Sequence, residues 1–201
     1  MAKNIHLLLF LLGCFVCVCY GHPRLYVKAQ EPHSVVKTQD PNEAARQNLQ
    51  QIYLREIGVR EKTNRNDGER IREYLRYTGL GEGYAWCAAF VSWCFKEAGY
   101  EAPRTAWSPS LFPSKRIIWR RQDLHGNNSH TRPRMRPQKG DVFALWYTNL
   151  KRIGHAGFVD EWGDSMVITV EGNTSDGTKL EGVYRKRRPT SSLYAVARWL
   201  N

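Results

Sequence analysis

Residues 86–98 read Trp86-Cys87-Ala88-Ala89-Phe90-Val91-Ser92-Trp93-Cys94-Phe95-Lys96-Glu97-Ala98 and stop at Gly99. The run is apolar nearly all round, which predicts a buried central helix and not a surface one. Upstream, Ala45, Leu49, Ile52, Tyr53 and Ile57 recur at helical spacing until Gly58. Asp40-Pro41-Asn42-Glu43 before them supplies an N-cap, a proline at the first helical position and a glutamate three residues after the cap. Asn66-Asp67-Gly68 opens a second, short helix with Ile71, Tyr74 and Leu75 on one face, closed by Gly79. Downstream the pattern changes. Residues 100–139 hold five prolines, with eight basic residues between Lys115 and Lys139. They read as a long surface connection with one helical turn near Leu111 to Trp119. From Gly140 on, five short segments rich in β-branched and aromatic residues read as strands: Asp141 to Tyr147, His155 to Trp162, Met166 to Glu171, Gly182 to Arg187 and Leu193 to Leu200. Gly163-Asp164 is a hairpin turn between two of them. Helices first and strands second make an α+β fold, N-terminal helices on a C-terminal antiparallel sheet of about five strands.

The 201 residues suit one domain plus a tail. With 42% hydrophobic and 12% aromatic residues, the chain has enough apolar surface to exclude a mostly disordered protein. A net charge of +11 favours an anionic partner, whether nucleic acid, anionic lipid or wall polymer.

Lys3 precedes a run of 14 residues, Leu7 to Tyr20, that carries no charge. A membrane span needs roughly 20, so residues 1–21 read as a secretory signal peptide cleaved near Gly21. The alternative is the lipoprotein pattern Leu11-Leu12-Gly13-Cys14, with Cys14 acylated. The residues after Cys14 stay apolar, which speaks against it. Either way the protein is expected outside the cytoplasm, secreted or periplasmic, and lipid-anchored only if Cys14 is modified. Residues 22–39 read as a flexible leader and 40–201 as the folded domain. Loss of residues 1–21 removes Lys3, leaving +10 of the +11, and three of the five cysteines. Cys87 and Cys94 remain. On one helix, seven residues separate them by about 10.5 Å, beyond the roughly 7 Å that a disulfide spans. An exported chain that keeps unpaired thiols needs a reason for at least one.

Cys87 begins its helix after Gly81-Glu82-Gly83, where unpaired backbone N–H groups and the helix dipole favour a thiolate. Cys94, two turns further in, reads as a small core residue. A cysteine nucleophile needs a base, and the base an orienter. His155 is expected to open a strand after Gly154, whereas His22, His33, His125 and His130 lie in segments that position a base poorly. Glu171 and Asn173, on the next strand, share a parity that lets either reach the imidazole. Trp86, Trp107 and Trp146 are candidates for contact with substrate, as is Trp162, since aromatic faces stack on sugars; core packing is the alternative for each. Asn64, Asn66 and Asp67 read as a turn and helix cap, with too few carboxylates for a calcium loop.

Four segments together resemble the CHAP family, the cysteine, histidine-dependent amidohydrolases and peptidases. They are residues 86–94, Gly140-Asp141-Val142, Gly154-His155-Ala156-Gly157-Phe158-Val159 and Glu171-Gly172-Asn173-Thr174-Ser175. The resemblance runs over roughly residues 45–200. It implies a papain-like fold and a peptidoglycan hydrolase with Cys87 as nucleophile, His155 as general base, Glu171 as its orienter and Asn173 as a supporting polar residue. Asn173 in place of Glu171 as the third catalytic group stays open. The scissile bond would be the muramoyl-L-alanine amide or one within the stem peptide, cleaved through a thioester without a metal or cofactor. Peptidoglycan is then the expected partner of a monomer. A catalytically silent wall-peptide binder on the same fold is the alternative. Nucleic acid is not expected as a partner, given export and the absence of a recognisable reading motif.

Overall fold

The computed structural model describes residues 42–124, 135–177 and 180–200. The signal-peptide and acylation readings, nearly all of the leader and cap before Asn42, His125, His130 and the middle of the basic stretch lie outside them. Three helices come first: α1 (Glu43–Arg55), α2 (Glu69–Tyr77) and α3 (Cys87–Glu97). Six strands follow: β1 (Ile117–Arg120), β2 (Val142–Tyr147), β3 (Arg152–Trp162), β4 (Met166–Thr174), β5 (Gly182–Pro189) and β6 (Ala195–Ala197). All pairings are antiparallel, in the order β1-β6-β2-β3-β4-β5. This is the α+β layout expected, with one strand more. Among the described residues no helix is long and apolar enough to cross a membrane.

Every residue of α3 from Cys87 to Phe95 is buried, as its all-round apolar sequence requires. Phe158 of β3 is the anchor. Tyr53 of α1 stacks on it at 4.7 Å between ring centroids, while Phe90 and Phe95 of α3 meet it at 6.0 and 5.6 Å. Tyr74 of α2 meets Phe90 and Trp93 edge-on, so all three helices share one aromatic cluster. Alternation along the strands divides the sheet: Val142 and Ala144 join the helix-side core, and Phe143 joins a second cluster with Trp119, Val159 and Val196. Asp141, fully buried, ties the start of β2 to distant segments by accepting from Arg46 (3.2 Å), Arg198 (3.0 and 2.8 Å) and the Gln138 backbone N–H (2.8 Å).

The structure departs from the sequence reading in the connection and at the caps. The helical turn expected near Leu111 to Trp119 is a 3-10 turn at Ser114–Arg116, and residues 117–119 belong to a strand instead. Two 3-10 turns, Ser108–Leu111 and Ser114–Arg116, lead into β1, which pairs with β6 and sets Trp119 against Trp162 at 5.3 Å. Pro109 and Pro113 forbid a continuous helix there, and Ile117-Ile118-Trp119 suits a pleated surface. Neither α1 nor α2 has a side-chain cap. Asp67 instead closes the turn before α2, accepting from the Thr63 backbone (2.9 Å) and hydroxyl (2.7 Å), with Asn64 and Asn66 at positive φ.

Candidate active site

Cys87 is the first residue of α3 and is 4% exposed, with no disulfide partner. Its sulfur lies 3.3 Å from the Ser108 hydroxyl, and His155 and the Ala156 backbone N–H also act on the thiol. Two glycines permit this close packing. A Cβ on Gly172 would come within 2.6 Å of the Trp86 ring, and one on Gly157 within 2.8 Å of the Phe143 ring.

His155 does not open its strand. It is the fourth residue of β3, because pairing with β2 continues back through Ile153 to Arg152. Its Nε2 lies 3.0 Å from Glu171 Oε2, which leaves Nδ1 for the sulfur. Glu171 is fully buried. Its Oε1 accepts from Arg188 Nε and from the Thr169 hydroxyl, both at 2.5 Å, and its Oε2 accepts from Arg188 Nη2 at 2.6 Å. Burial pushes the Glu171 carboxyl up, but Arg188 and His155 outweigh it and hold the group well below the usual carboxylate range. Burial likewise pulls His155 down, and its bonds to Cys87 and Glu171 reverse this, raising it to about 9. For Cys87, burial acts upward and is overcome by His155, Ser108 and the Ala156 N–H, which lower the thiol to about 7. A thiolate facing an imidazolium is therefore the favoured state near neutrality. Cys94 has no such partner, and burial raises its thiol far above the ordinary value.

The chain from Cys87 through His155 to Glu171 lies within a segment that resembles a known family. Residues 79–173 match the CHAP domain family. That family comprises peptidoglycan hydrolases, and the matched span holds Cys87, His155, Glu171 and Asn173. No curated protein matches the sequence significantly. A solved structure described as that of the Resuscitation Promoting Factor Interacting protein RipA mutated at E444 aligns with a TM-score of 0.40 at 17% identity. The alignment covers 79% of this chain and 63% of that one.

At the end of the matched span, Asn173 makes no hydrogen bond to His155. Its φ is +55°, and the β4–β5 register shifts between Glu171 and Thr174, so the parity shared with Glu171 is broken. Its Oδ1 accepts from the Trp86 backbone N–H at 2.8 Å, and its Nδ2 donates to Glu181 (2.6 Å) and Asn66 (2.9 Å). Asn173 thus fixes the start of α3. Trp86 is no substrate contact either: it is fully buried, stacks on Tyr74 at 5.6 Å and donates its Nε1–H to Glu61 at 2.8 Å. Trp107, by contrast, is 51% exposed and lines a cleft of about 410 Å³ with Cys87, Ser108 and Gly154. Trp146 packs on Tyr194 at 4.9 Å and lies outside the lining of that cleft.

Sequence reasoning missed Arg188, Thr169 and Ser108. Thr169 and Glu171 are two apart on β4, hence on one face; Lys186 pairs with Thr169 on the neighbouring strand, and Arg188, opposite Val167, shares that parity and reaches Glu171 with its side chain. A basic residue of that parity beside a buried acid was the available signal. Ending the strand at Arg187 hid it.

Proposed function

We propose that the protein is an exported cysteine hydrolase that cleaves an amide bond of peptidoglycan, the muramoyl-L-alanine amide or a bond within the stem peptide. In this reading residues 1–21 are the export signal, 22–39 a leader and 40–201 the catalytic domain, acting as a monomer. One observation carries it: a cysteine at a helix start has its thiol lowered by a histidine whose Nε2 meets a buried, ion-paired carboxylate. A peptide-binding protein has no use for that arrangement.

The Cys87 thiolate attacks the carbonyl carbon, forming the C–S bond as the carbonyl π pair moves to oxygen. Backbone N–H groups at the start of α3 stabilise the oxyanion. On collapse the C–N bond breaks, and the His155 imidazolium gives its proton to the leaving amine. Neutral His155 then takes a proton from water as the water attacks the thioester, which releases the carboxylic acid and regenerates the thiolate. Glu171 stays ionised throughout and holds the ring.

Digestion of purified peptidoglycan, with mass spectrometry of the fragments, tests the reading. Wild type is expected to release products with a new amine and a new carboxylate, and Cys87→Ala none while its melting curve stays close to wild type. Lysis by Cys87→Ala, or none by the wild type, contradicts it.

A further inference from the structure

The cleft beside Cys87 is lined by two arginines, Arg104 and Arg152, and by no acidic residue. Arg152 comes from β3, three residues before the base, and Arg104 from the segment after α3. Both are anchored without being neutralised. The Arg152 guanidinium lies 4.1 Å from the Trp107 ring centroid, and its Nη1 donates to the Ile153 carbonyl at 2.9 Å. Arg104 donates Nε–H to the Tyr77 carbonyl and lies 5.2 Å from that residue's ring. Among the described residues neither forms a salt bridge, whereas Arg46, Arg70, Arg185, Arg188 and Arg198 each hold a carboxylate.

A guanidinium fixed by a carbonyl and an aromatic face keeps its remaining N–H donors available and loses little freedom when it binds. Two of them on a cleft that contains the nucleophile select for negative charge close to the reacting carbonyl. We infer that Arg104 and Arg152 form a carboxylate-binding subsite, so that the preferred substrate is a peptide with a free carboxylate near the scissile bond, disfavouring its carboxamide counterpart. The inference rests on the hydrolase reading, and it adds the charge class of the substrate. Trp107 has a defined part in it: its ring holds Arg152 in place and covers one face of the guanidinium.

Isothermal titration of the Cys87→Ala protein separates binding from turnover. The probes are the peptide L-alanyl-γ-D-glutamyl-L-lysyl-D-alanine, with its glutamyl α-carboxylate free, and the same peptide carrying the α-carboxamide. The free acid is expected to bind about tenfold more tightly, as charge-assisted bidentate pairs allow. That gap should shrink with added salt and vanish when Arg104→Gln and Arg152→Gln are added. Equal affinity for the two peptides, a gap that survives the double substitution, or no binding of either peptide at millimolar concentration overturns the subsite. The hydrolase reading fails separately, if the wild type leaves peptidoglycan intact while the affinity gap holds. Cleavage of both peptides at equal rates removes the subsite and leaves the hydrolase.

Discussion

Glu171 carries one negative charge between two cations, Arg188 and His155, with the Thr169 hydroxyl as a further donor. Each of them orients the carboxylate, and the carboxylate orients the base. Glu171→Gln keeps the shape but gives up the charge that stabilises imidazolium. Because general acid–base steps contribute roughly 10²–10⁴-fold, the expected loss in kcat is about ten- to a thousandfold. Turnover of a defined muropeptide measures it, and a wild-type rate would reduce the site to a Cys87–His155 dyad. Arg188→Gln strips a buried carboxylate of its bidentate partner, which costs about 3 kcal/mol by analogy with other broken buried pairs. Thermal denaturation checks this, and an unchanged Tm would show that the pair contributes nothing to the fold. The histidine and its two candidate orienters, Glu171 and Asn173, were legible in the sequence because a nucleophile at a helix start demands a base and an orienter. Arg188 was not, because a basic residue on a short strand has the pattern of a solvated edge until its neighbour is known.

At the level of elements, catalysis depends on where α3 begins, and that is set from outside the helix. Asn173 holds the Trp86 backbone N–H, Glu61 holds the Trp86 indole, and Gly172 lets β4 approach both Trp86 and Phe90. Asn173→Ala is therefore expected to lower stability by about 1–2 kcal/mol, the range for a buried hydrogen-bonding group left unpaired. It should also reduce kcat/KM without moving the pH limits of activity, since Asn173 does not touch His155. A shifted limb in the pH profile would instead make it a partner of the base. The first two helices were readable from their 3.6-residue periodicity, the third from its all-round apolar run, and all three from their glycine stops. Parity misplaced Asn173 because alternation assumes an unbroken ladder, and a residue at positive φ inside a register shift leaves no mark in the apolar pattern. β1 escaped notice for a related reason: the prolines around it describe a connection, while its pairing with β6 is a long-range fact.

At the scale of the molecule, the two free cysteines among the described residues share one helix and differ only in environment. Cys87 lies at the helix start under His155, and Cys94 is fully buried without a charged donor. The central claim is that His155 makes Cys87 a thiolate near neutral pH, and its most direct test is the pH dependence of Cys87 alkylation by iodoacetamide in a Cys94→Ala background. As pH rises, the labelling rate is expected to increase through a midpoint of about 7, the value to which His155, Ser108 and the Ala156 N–H bring the thiol. In His155→Ala the midpoint should move up toward the ordinary thiol value near 8.5, with little labelling at pH 7. A wild-type midpoint at or above that ordinary value, or one that His155→Ala leaves in place, would contradict the account.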